Sequence, residues 1–327
     1  MSADTATPAT ATSKPQTVFI DGQAGTTGLD VASRLADVDG LTIVEISEQD
    51  RKNADAKRAL LRDVDLVVLC LPDDAARETV AMADGLANGG PVIVDASTAH
   101  RVADGWTYGF AELSRGQAQA IRESQRIANP GCYPTGAIAL IRPLVDAGLI
   151  PPGQAITINA VSGYSGGGRQ MIAAYDSGEV PPFELYGLGL AHKHLPELQR
   201  YASLARPPIF VPSVGNFRQG MLVSIPLFLD TLPVRPSASD LRSALADHYE
   251  ATAITADRTV RVATSDDAEA SAKRLAADTL AGTGALELFV FGNADETQAV
   301  LVARLDNLGK GAAGAAVQNI RLALGLL

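Results

Sequence analysis

Cysteine is scarce in this sequence, and long hydrophobic runs are absent from it. Cys70 and Cys132 are the only cysteines among the 327 residues. Two cysteines are too few for a disulfide framework or for a zinc site built on thiolates. No apolar run approaches the roughly 18 residues that a helix needs to cross a bilayer. The sequence therefore excludes small disulfide-stabilised scaffolds, and we expect no membrane partner.

Positive charge is in short supply as well. The chain has 27 Lys and Arg residues against 37 Asp and Glu residues, so its formal net charge is −10. An acidic surface repels phosphate backbones, and we therefore expect no nucleic-acid partner. Residues 1–16 have neither the apolar segment of a signal peptide nor the arginines of a transit peptide. We predict a disordered tail there and a cytoplasmic location.

Short apolar segments alternate with helical segments up to Pro130. The predicted strands are residues 18–20, 41–46, 66–71 and 92–94, and the predicted helices include residues 54–62 and 75–87. A helix after the first strand is predicted to bury one face, formed by Leu29, Ala32, Leu35 and Ala36. Strands and helices that alternate in this way indicate a doubly wound α/β sheet.

The pattern changes after Pro130. Longer strands are predicted at residues 155–161, 220–229, 259–263 and 286–292, between Gly- and Pro-rich loops, and a final helix at residues 312–326. We therefore predict an α/β protein in which a mixed α+β domain is inserted before the C-terminal helix of a Rossmann-like dinucleotide-binding domain. Residues 17–130 and 304–327 are predicted to form the dinucleotide-binding domain, and residues 131–303 the catalytic and dimerisation domain.

Three glycines follow the first predicted strand. Gly22, Gly25 and Gly28 allow a tight turn and close approach of a phosphate to the N-terminus of the next helix. Their spacing is GxxGxxG rather than GxGxxG, so a plain Gly-rich turn is the alternative. In the first βα unit of a doubly wound sheet, however, such a turn lies where dinucleotides bind.

The residues after the second predicted strand bear on the choice of cofactor. Ser47, Arg51 and Lys52 would suit the 2′-phosphate of NADP, or they are solvated loop residues. Glu45 and Glu48 leave NAD open, because an acid in this region binds the ribose of NAD.

Cys132 lies in an unusual motif, Asn-Pro-Gly-Cys-Tyr-Pro-Thr-Gly at residues 129–136, before an apolar helical run. Pro134 suits the first position of a helix, which would place Cys132 at a helix N-terminus. The helix dipole there lowers the pKa of a thiol and favours the thiolate. Cys70, in an apolar strand, fits a small buried side chain instead. We predict that Cys132 is a nucleophile.

A nucleophilic thiol needs a base, and residues 192–197, His-Lys-His-Leu-Pro-Glu, offer one. An imidazole of His192 or His194 would exchange a proton with Cys132, and Glu197 would orient it. The neighbouring sequence offers no third metal ligand, so we predict no metal. His100 and His248 are predicted to lie at the surface.

Residues 163–167, Gly-Tyr-Ser-Gly-Gly, match the GxSxG nucleophile elbow of α/β-hydrolases. The alternative is a Gly-rich loop that offers N–H groups and Arg169 to an anionic substrate. Ser165 as nucleophile would leave the Cys132 motif and the glycine turn unexplained, which disfavours the hydrolase. A third alternative is a non-catalytic NADP-sensing protein. Near the C-terminus, Lys310 and its neighbouring glycines either contact a cofactor or phosphate, or simply begin a helix.

Four segments together resemble the N-acetyl-γ-glutamyl-phosphate reductase family, in its shorter, type 2 branch. They are VFIDGQAGTTG at residues 18–28, NPGCYPTG at 129–136, HKHLPE at 192–197 and DNLGKGAAGAAVQN at 306–319. The resemblance extends from about residue 17 to the C-terminus, and NPGCYPTG is its most specific part. Aspartate-semialdehyde dehydrogenases share the architecture, a thiol nucleophile and a similar C-terminal segment, and are the nearest competitor.

The resemblance implies a reaction. An acyl phosphate, N-acetyl-γ-glutamyl phosphate, would be reduced by NADPH to N-acetylglutamate 5-semialdehyde in arginine biosynthesis, with release of inorganic phosphate. Aspartyl or aminoadipyl phosphate is the alternative substrate. The Cys132 thiolate would form a thioester, with His194, favoured over His192, as acid and base. The resemblance also implies a homo-oligomer, either a dimer or a tetramer.

The resemblance also implies contact residues. Those for NADP(H) are Gly22, Gly25, Thr26, Thr27, Gly28, Ser47, Arg51, Pro72, Asn307 and Lys310. Those for the substrate are Asn129, Ser97, Arg101, Ser162, Gly163 and Arg169, with Lys310 as a further anion partner. The longer branch has Asp-Phe-Arg after its Ser-Ala, whereas this chain has Ser97-Thr-Ala-His100-Arg101, which leaves the roles of His100 and Arg101 open.

Overall fold

The computed structural model describes residues 14–51, 53–87, 89–256 and 258–327. Lys52 and residues 1–13 of the predicted tail lie outside the described residues. Gln16, the last residue of that predicted tail, already belongs to the first strand.

A six-stranded parallel sheet forms the first half of the molecule. Its strands are β1 (Gln16–Asp21), β2 (Leu41–Val44), β3 (Leu66–Leu69), β4 (Val92–Asp95), β5 (Thr107–Tyr108) and β6 (Arg126–Ala128). The helices between them are α1 (Thr26–Leu35), α2 (Ala54–Asp63), α3 (Asp73–Asp84) and α4 (Gln117–Arg122). The strand order is β2-β1-β3-β4-β6-β5. Helices cover both faces, which explains why β3 is continuously apolar and fully buried. The doubly wound sheet is confirmed.

Helix α1 buries part of the predicted face: Leu35 is buried and Ala32 packs against the core, but Leu29 and Ala36 are exposed. Gly28, Val31 and Leu35 are buried, whereas Leu29 is 56% exposed. The reason is that Gly28 packs against the backbone of the glycine turn, where a Cβ would lie 2.5 Å from the carbonyl oxygen of Gly22. The residues three and seven positions after Gly28 then share its face.

The second half contains a seven-stranded mixed sheet. Its strands are β7 (Thr157–Gly163), β8 (Phe183–Leu185), β9 (Ile209–Gly215), β10 (Met221–Phe228), β11 (Val260–Val262), β12 (Leu286–Gly292) and β13 (Gln298–Leu305). Its helices are α5 (Cys132–Asp146), α6 (Gly168–Ser177), α7 (Leu195–Tyr201), α8 (Ala238–Ala251) and α9 (Ser265–Ser271). The order is β11-β12-β13-β10-β7-β9-β8, and β13 pairs antiparallel with both neighbours. Strands β8, β9 and β13 and helices α7, α8 and α9 are additions to the predicted elements.

The C-terminal segment returns to the first sheet. A π-helical turn, Gly309–Ala313, leads into α10 (Gly314–Ala323). Ala316, Ile320 and Leu322 are buried in the same core as Val18 and Ile20 of β1. This packing supports the predicted division at residues 130 and 304, which stays a prediction. Within the described ranges, no helix has both the length and the apolar character required to traverse a bilayer.

Candidate active site

The glycine turn opens onto a cleft of about 680 Å³ beside β1 and β2. Gly22 has φ +88°, and a Cβ there would lie 2.3 Å from the carbonyl oxygen of Cys70. Glycine is therefore required at Gly22 as it is at Gly28, and the turn brings bare backbone to the N-terminus of α1. A cleft with such a turn fits a dinucleotide.

The cofactor contacts implied by the resemblance are distributed unevenly around this cleft. Gly22 and Arg51 line it. Ser47 does not, and its hydroxyl instead donates to Asp50 Oδ2 at 2.7 Å. Pro72 is the N-cap of α3, and its neighbour Leu71 lines the cleft in its place.

A smaller cavity of about 290 Å³ lies next to the turn. Gly25, Thr26 and Thr27 line it together with Arg169. Arg169 was predicted to contact the substrate, but the structure places it beside the first residues of α1. Thr26 and Thr27 also line the cavity that contains Cys132, so they connect the glycine turn with that cavity.

The cavity around Cys132 has a volume of about 390 Å³. Its polar and reactive lining comes from both halves of the molecule and comprises Thr26, Thr27, Arg101, Asn129, Cys132, Tyr133, Ser162, Ser165, Tyr186, His192, Lys193, His194 and Asn307. None of the residues lining it is acidic. The structure therefore brings the motifs of residues 129–136 and 192–197 together, in a cavity suited to an anionic ligand.

Cys132 is the first residue of α5, with Gly131 as its N-cap. Pro134 is thus the third helical residue rather than the first, which the helix tolerates because its first four N–H groups have no partner within the helix. Burial raises the pKa of the Cys132 thiol to about 11, although the positive charge of Arg101 and the N–H groups of the helix start act to lower it. The shift is opposite in direction to the one that the helix dipole predicts, because burial outweighs the groups that lower the pKa.

His194 is almost completely buried, with 6% of its surface exposed. Its Nε2 packs against Gly131, where a Cβ would lie only 2.8 Å from this nitrogen. Its Nδ1 is buried and has no hydrogen-bond partner among the described residues. Burial, and then the charge of Arg101, hold the pKa of His194 well below its usual value. The neutral imidazole next to the Cys132 turn is therefore available to accept a proton.

His192 supports this arrangement. Its Nδ1 accepts a hydrogen bond from the backbone N–H of His194 at 3.2 Å, and the two rings are 4.7 Å apart. Burial, and then the charge of Lys193, lower the pKa of His192 as well.

Glu197 does not hydrogen-bond to His194, and that prediction is wrong. Its Oε2 pairs with Arg101 at 3.1 Å, and its Oε1 accepts from the hydroxyl of Tyr108 and the backbone N–H of Gly131. Both oxygens of the carboxylate are thereby occupied. Glu197 orients the backbone before Cys132 rather than the imidazole.

The loop after β4 contains Ser97 and His100, two further residues whose positions were predicted from the sequence. Asp95 Oδ2 accepts from the hydroxyl of Ser97 at 2.8 Å, so Ser97 holds the loop rather than lining the cavity. His100 Nδ1 lies 2.6 Å from the same oxygen, and its ring stacks on Trp106. The prediction of a surface position is wrong for His100 and also for the half-buried His248, whose Nε2 contacts the carbonyl of Glu112.

Lys310 is predicted to contact the cofactor or an anionic substrate, but the structure pairs it with an acidic side chain of the protein instead. Its Nζ lies 2.8 Å from both oxygens of Glu112 and 2.7 Å from Gln318 Oε1. The amine is 2% exposed and lies at a cavity other than those of Cys132 and the glycine turn. At Gly311 a Cβ would lie 2.9 Å from the Cβ of Cys132, so the missing side chain lets this segment pass close to Cys132.

Asn307 and Ser165 also have structural partners. Asn307 Nδ2 donates to Ser165 Oγ at 2.9 Å, and its Oδ1 accepts from the backbone N–H of Gly220. Ser165 is 1% exposed and has no histidine partner among the hydrogen bonds of the described residues. This geometry does not support a serine nucleophile.

The remaining substrate residues lie in the cavity wall. The hydroxyl of Ser162 donates to the carbonyl of Gly163 at 3.0 Å, and the amide of Asn129 donates to the carbonyl of Ala312. Sequence reasoning missed Lys193, which is exposed in the cavity, and Tyr186, whose hydroxyl donates to that of Tyr133 at 3.0 Å. Their proximity in sequence to the two histidines was the signal that could have found them. Among the described residues, no group of three His, Cys, Asp or Glu side chains is arranged to hold a metal.

Comparisons with known proteins agree with these features. Residues 28–121 match the family described as semialdehyde dehydrogenase, NAD binding domain, and residues 132–307 match semialdehyde dehydrogenase, dimerisation domain. Among solved structures, the aspartate semialdehyde dehydrogenase II of Vibrio cholerae, complexed with ASA, has a TM-score of 0.68 at 15% identity, covering 96% of this chain and 99% of that one. An aspartate semialdehyde dehydrogenase with NADP from Candida albicans has a TM-score of 0.64 at 14% identity, covering 95% and 100%. At these identities the likeness shows the fold.

Sequence relatives are more specific. The chain is 50% identical to the N-acetyl-gamma-glutamyl-phosphate reductase of Brucella ovis over 317 residues, which cover 95% of this chain and 99% of the relative. The protein of the same name from Brucella anthropi is 51% identical over the same length and coverage. The chain therefore belongs to the N-acetyl-gamma-glutamyl-phosphate reductase family, within the semialdehyde dehydrogenases, and its dinucleotide-binding and dimerisation domains are those of an oxidoreductase.

Proposed function

We propose that this chain reduces N-acetyl-γ-glutamyl phosphate with NADPH to N-acetylglutamate 5-semialdehyde and inorganic phosphate, a step of arginine biosynthesis. The observation that carries the proposal is the cavity that contains both Cys132 and His194. Thr26 and Thr27 at the glycine turn line the same cavity. A thiol, a neutral base and a dinucleotide-binding turn therefore meet at one place, as this reaction requires.

The first half of the reaction is acyl transfer to sulfur. His194 takes the proton of the Cys132 thiol while the sulfur attacks the acyl carbon. The carbon–oxygen bond to the phosphate then breaks, which leaves a thioester on Cys132 and releases phosphate with the proton. The backbone N–H groups at the start of α5 have no acceptor within the helix, so they are suitable donors to the developing oxyanion.

The positively charged side chains of the cavity wall are suited to bind the anionic groups of the substrate. Arg101 and Lys193 line the cavity, and no acidic side chain does. One N–H group of Arg101 is engaged by Glu197, whereas Lys193 is exposed. We assign Lys193 to the phosphate or carboxylate of the substrate, a role that sequence analysis did not identify.

The second half needs the dinucleotide. When bound in the glycine cleft, it supplies the hydride that reduces the thioester. Gly22 and Gly28 give its phosphates access to the N-terminus of α1, and Arg51 and Arg169 offer positive charge at the two ends of the turn. After reduction, the carbonyl of the semialdehyde forms as the carbon–sulfur bond of the thiohemiacetal breaks, and the sulfur leaves as thiolate. Because the first proton left with the phosphate, His194 takes a new proton from solvent and passes it to the sulfur, which restores the thiol.

The outer face of the second sheet is suited to self-association. A groove of about 520 Å³ on that face is lined by Val161, Leu185, Leu222 and Val302 among others. Phe183 also lines the groove and is 56% exposed. We propose that two copies of the chain pack through this face, with a dimer or a tetramer as the result, and that the protein works in the cytoplasm.

The experiment that tests the function runs the reaction in reverse. N-acetylglutamate semialdehyde, NADP and phosphate are mixed with the protein, and NADPH formation is followed by absorbance. We expect a rate that requires phosphate and that aspartate semialdehyde does not support. A rate with aspartate semialdehyde alone would assign the chain to the competing substrate class, and no rate with either would overturn the proposal.

A matched variant tests the mechanism. Cys132→Ser keeps the size of the side chain but removes the sulfur nucleophile. We expect turnover to fall below detection while the Kd for NADPH, measured by calorimetry, stays within about twofold of the wild-type value. Near-normal turnover would refute the thioester route.

A further inference from the structure

A further cavity, of about 350 Å³, lies apart from the Cys132 cavity and from the cleft beside the glycine turn. The π-helical turn and α10 contribute Lys310, Gly314, Val317 and Arg321 to its lining, and we name it the α10 cavity. The end of α8 and the segment between α8 and β11 also line it. Among the described residues, none that lines the α10 cavity lines either of the other two sites. Its volume is typical of sites that bind small molecules, and the proposed function gives it no role.

Basic side chains outnumber acidic ones in the described lining of the α10 cavity. Lys310, Arg258 and Arg321 are basic, and Glu112 is acidic. Two of the three positive charges are already paired. Lys310 Nζ lies 2.8 Å from both oxygens of Glu112. Arg258 forms two hydrogen bonds with the carboxylate of Glu250, at 3.0 and 3.2 Å.

Arg321 provides the remaining positive charge. Its guanidinium has no ion pair or hydrogen bond within the described part of the chain, and its Nε is buried. A buried N–H group without an acceptor costs free energy and is rare in folded proteins. A carboxylate supplies the acceptor, because its two oxygens match the N–H groups of a guanidinium. Ile254, Val260 and Val317 line the same cavity, so the unpaired cation is combined with an apolar surface.

The π-helical turn connects the α10 cavity with the Cys132 cavity. Lys310 lines the first, whereas the next two residues, Gly311 and Ala312, line the second. Gly311 packs closely on Cys132, and the carbonyl of Ala312 accepts from Asn129 Nδ2 at 3.0 Å. A ligand that binds only while the turn is in place makes movement of the turn away from Cys132 less frequent. A ligand of the α10 cavity should therefore protect the thiol from reagents.

We propose that the α10 cavity is an effector site for a small aliphatic carboxylate. The carboxylate pairs with Arg321, and the hydrocarbon part lies on Ile254, Val260 and Val317. Binding holds the π-helical turn against Cys132 and lowers the reactivity of the thiol. The site is separate from the cavity in which the acyl phosphate reacts, so effector and substrate bind at the same time. Neither the binding nor its effect on Cys132 requires turnover, and the inference therefore stands apart from the proposed function.

Ligand-detected NMR titration of the full chain with hexanoate tests the binding. Hexanamide is the uncharged probe of the same length. We expect wild type to bind hexanoate about tenfold more tightly than hexanamide, the effect of one charge-assisted pair. Arg321→Gln should remove this difference. Val317→Phe, which reduces the volume of the cavity and keeps Arg321, should weaken the binding of both probes.

Lys193→Gln is the matched control, because it removes one positive charge from the Cys132 cavity and leaves Arg321 in place. Its Kd for hexanoate should stay within about twofold of the wild-type value. If Lys193→Gln weakens the binding of hexanoate and Arg321→Gln does not, hexanoate occupies the Cys132 cavity and the proposal is wrong. Absence of binding to wild type at about 50 mM hexanoate would also overturn it.

The effect on Cys132 is measured by iodoacetamide alkylation of the Cys70→Ser protein, in which Cys132 is the one thiol. We expect hexanoate at about ten times its Kd to slow alkylation by about threefold to tenfold, since mass action limits the protection to about that upper value. Hexanamide at the same concentration should leave the rate unchanged, as should hexanoate with the Arg321→Gln variant. If hexanoate binds through Arg321 but does not change the rate, the effector role is refuted.

Discussion

Arg101 and Glu197 form a buried ion pair beside the turn that carries Cys132. Arg101 Nη1 lies 3.1 Å from Glu197 Oε2, and the two side chains are 9% and 2% exposed. Arg101 Nε also donates to the carbonyl of Asn129, and Glu197 accepts from the N–H of Gly131. The pair therefore holds both sides of Pro130 and sets two opposite charges next to the thiol.

The two charges predict opposite effects on the nucleophile. Beyond the dominant effect of burial, Arg101 lowers the pKa of Cys132 and Glu197 raises it. We expect Arg101→Gln to slow alkylation of Cys132 by iodoacetamide at pH 8, and Glu197→Gln to accelerate it, each by up to about tenfold for one pKa unit. The rates are measured in a Cys70→Ser background, so that Cys132 is the one thiol present.

A purely structural role of the pair makes a different prediction. Loss of the clamp on the turn would shift both alkylation rates in the same direction and would lower the melting temperature of both variants. The double variant Arg101→Gln/Glu197→Gln serves as the control, because it removes both charges. Its rate should lie between those of the single variants.

The pH dependence of alkylation follows from the resting state of the site. Burial raises the pKa of the Cys132 thiol to about 11. The thiolate fraction, and with it the rate, should increase about tenfold per pH unit from pH 6 to 9. A plateau above pH 7 in the Cys70→Ser background would instead show a preformed thiolate, as the helix dipole alone predicts.

The decrease of kcat/KM at low pH is expected to reflect protonation of His194. Because burial and Arg101 lower its pKa, the imidazole stays neutral until the pH falls below its usual titration range. We expect kcat/KM in the reverse reaction to stay level from about pH 7 down to pH 6.5, the usual pKa of histidine, and to fall only below that. The control is His194→Asn, in which this limb should disappear along with most of the activity. An apparent pKa above 7 on the acid side would contradict the assignment of His194 as base.

The sequence predicted the structural features that local hydrophobic periodicity determines, such as the bounds of strands. Strand β12 has the predicted bounds because residues 286–292 are apolar except for Glu287. The face of α1 was predicted correctly at Leu35 but not at Leu29, because the close packing of Gly28 on the turn outweighs the apolar character of Leu29. Side-chain partners were less predictable still. Glu197 forms an ion pair with Arg101, which lies 96 positions earlier in the chain. A local sequence pattern cannot predict such a distant partner.

Ser165 distinguishes the reductase from a serine hydrolase. Its hydroxyl accepts from Asn307 and is buried, so its role is to hold Asn307 in the cavity wall. We expect Ser165→Ala to keep reductase activity within about tenfold of wild type, since one neutral hydrogen bond contributes roughly 0.5–1.5 kcal/mol. A fluorophosphonate probe should not label the wild-type protein. Labelling at Ser165, together with loss of all activity in Ser165→Ala, would instead support the serine-hydrolase hypothesis.

Lys310 should matter for stability rather than for binding of an anion. Burial raises the pKa of Glu112, but the contacts with Lys310, Thr259 and Gln318 outweigh it and lower the pKa overall. The pair is therefore stabilising above the pKa of an unfolded glutamate, and this contribution is lost as the pH falls through the lower folded-state pKa. At pH 7 the full contribution is present. Lys310→Met leaves Glu112 buried without its cation, and we expect a loss of about 3–5 kcal/mol in urea unfolding.

Lys310→Met/Glu112→Leu is the compensating variant. It removes both charges and keeps the volume of the side chains, so most of the lost stability should return. The Kd for NADPH should be close to the wild-type value in this double variant, because Lys310 does not line the dinucleotide cleft. A double variant that regains stability but binds NADPH ten times more weakly would show that Lys310 contacts the cofactor after all.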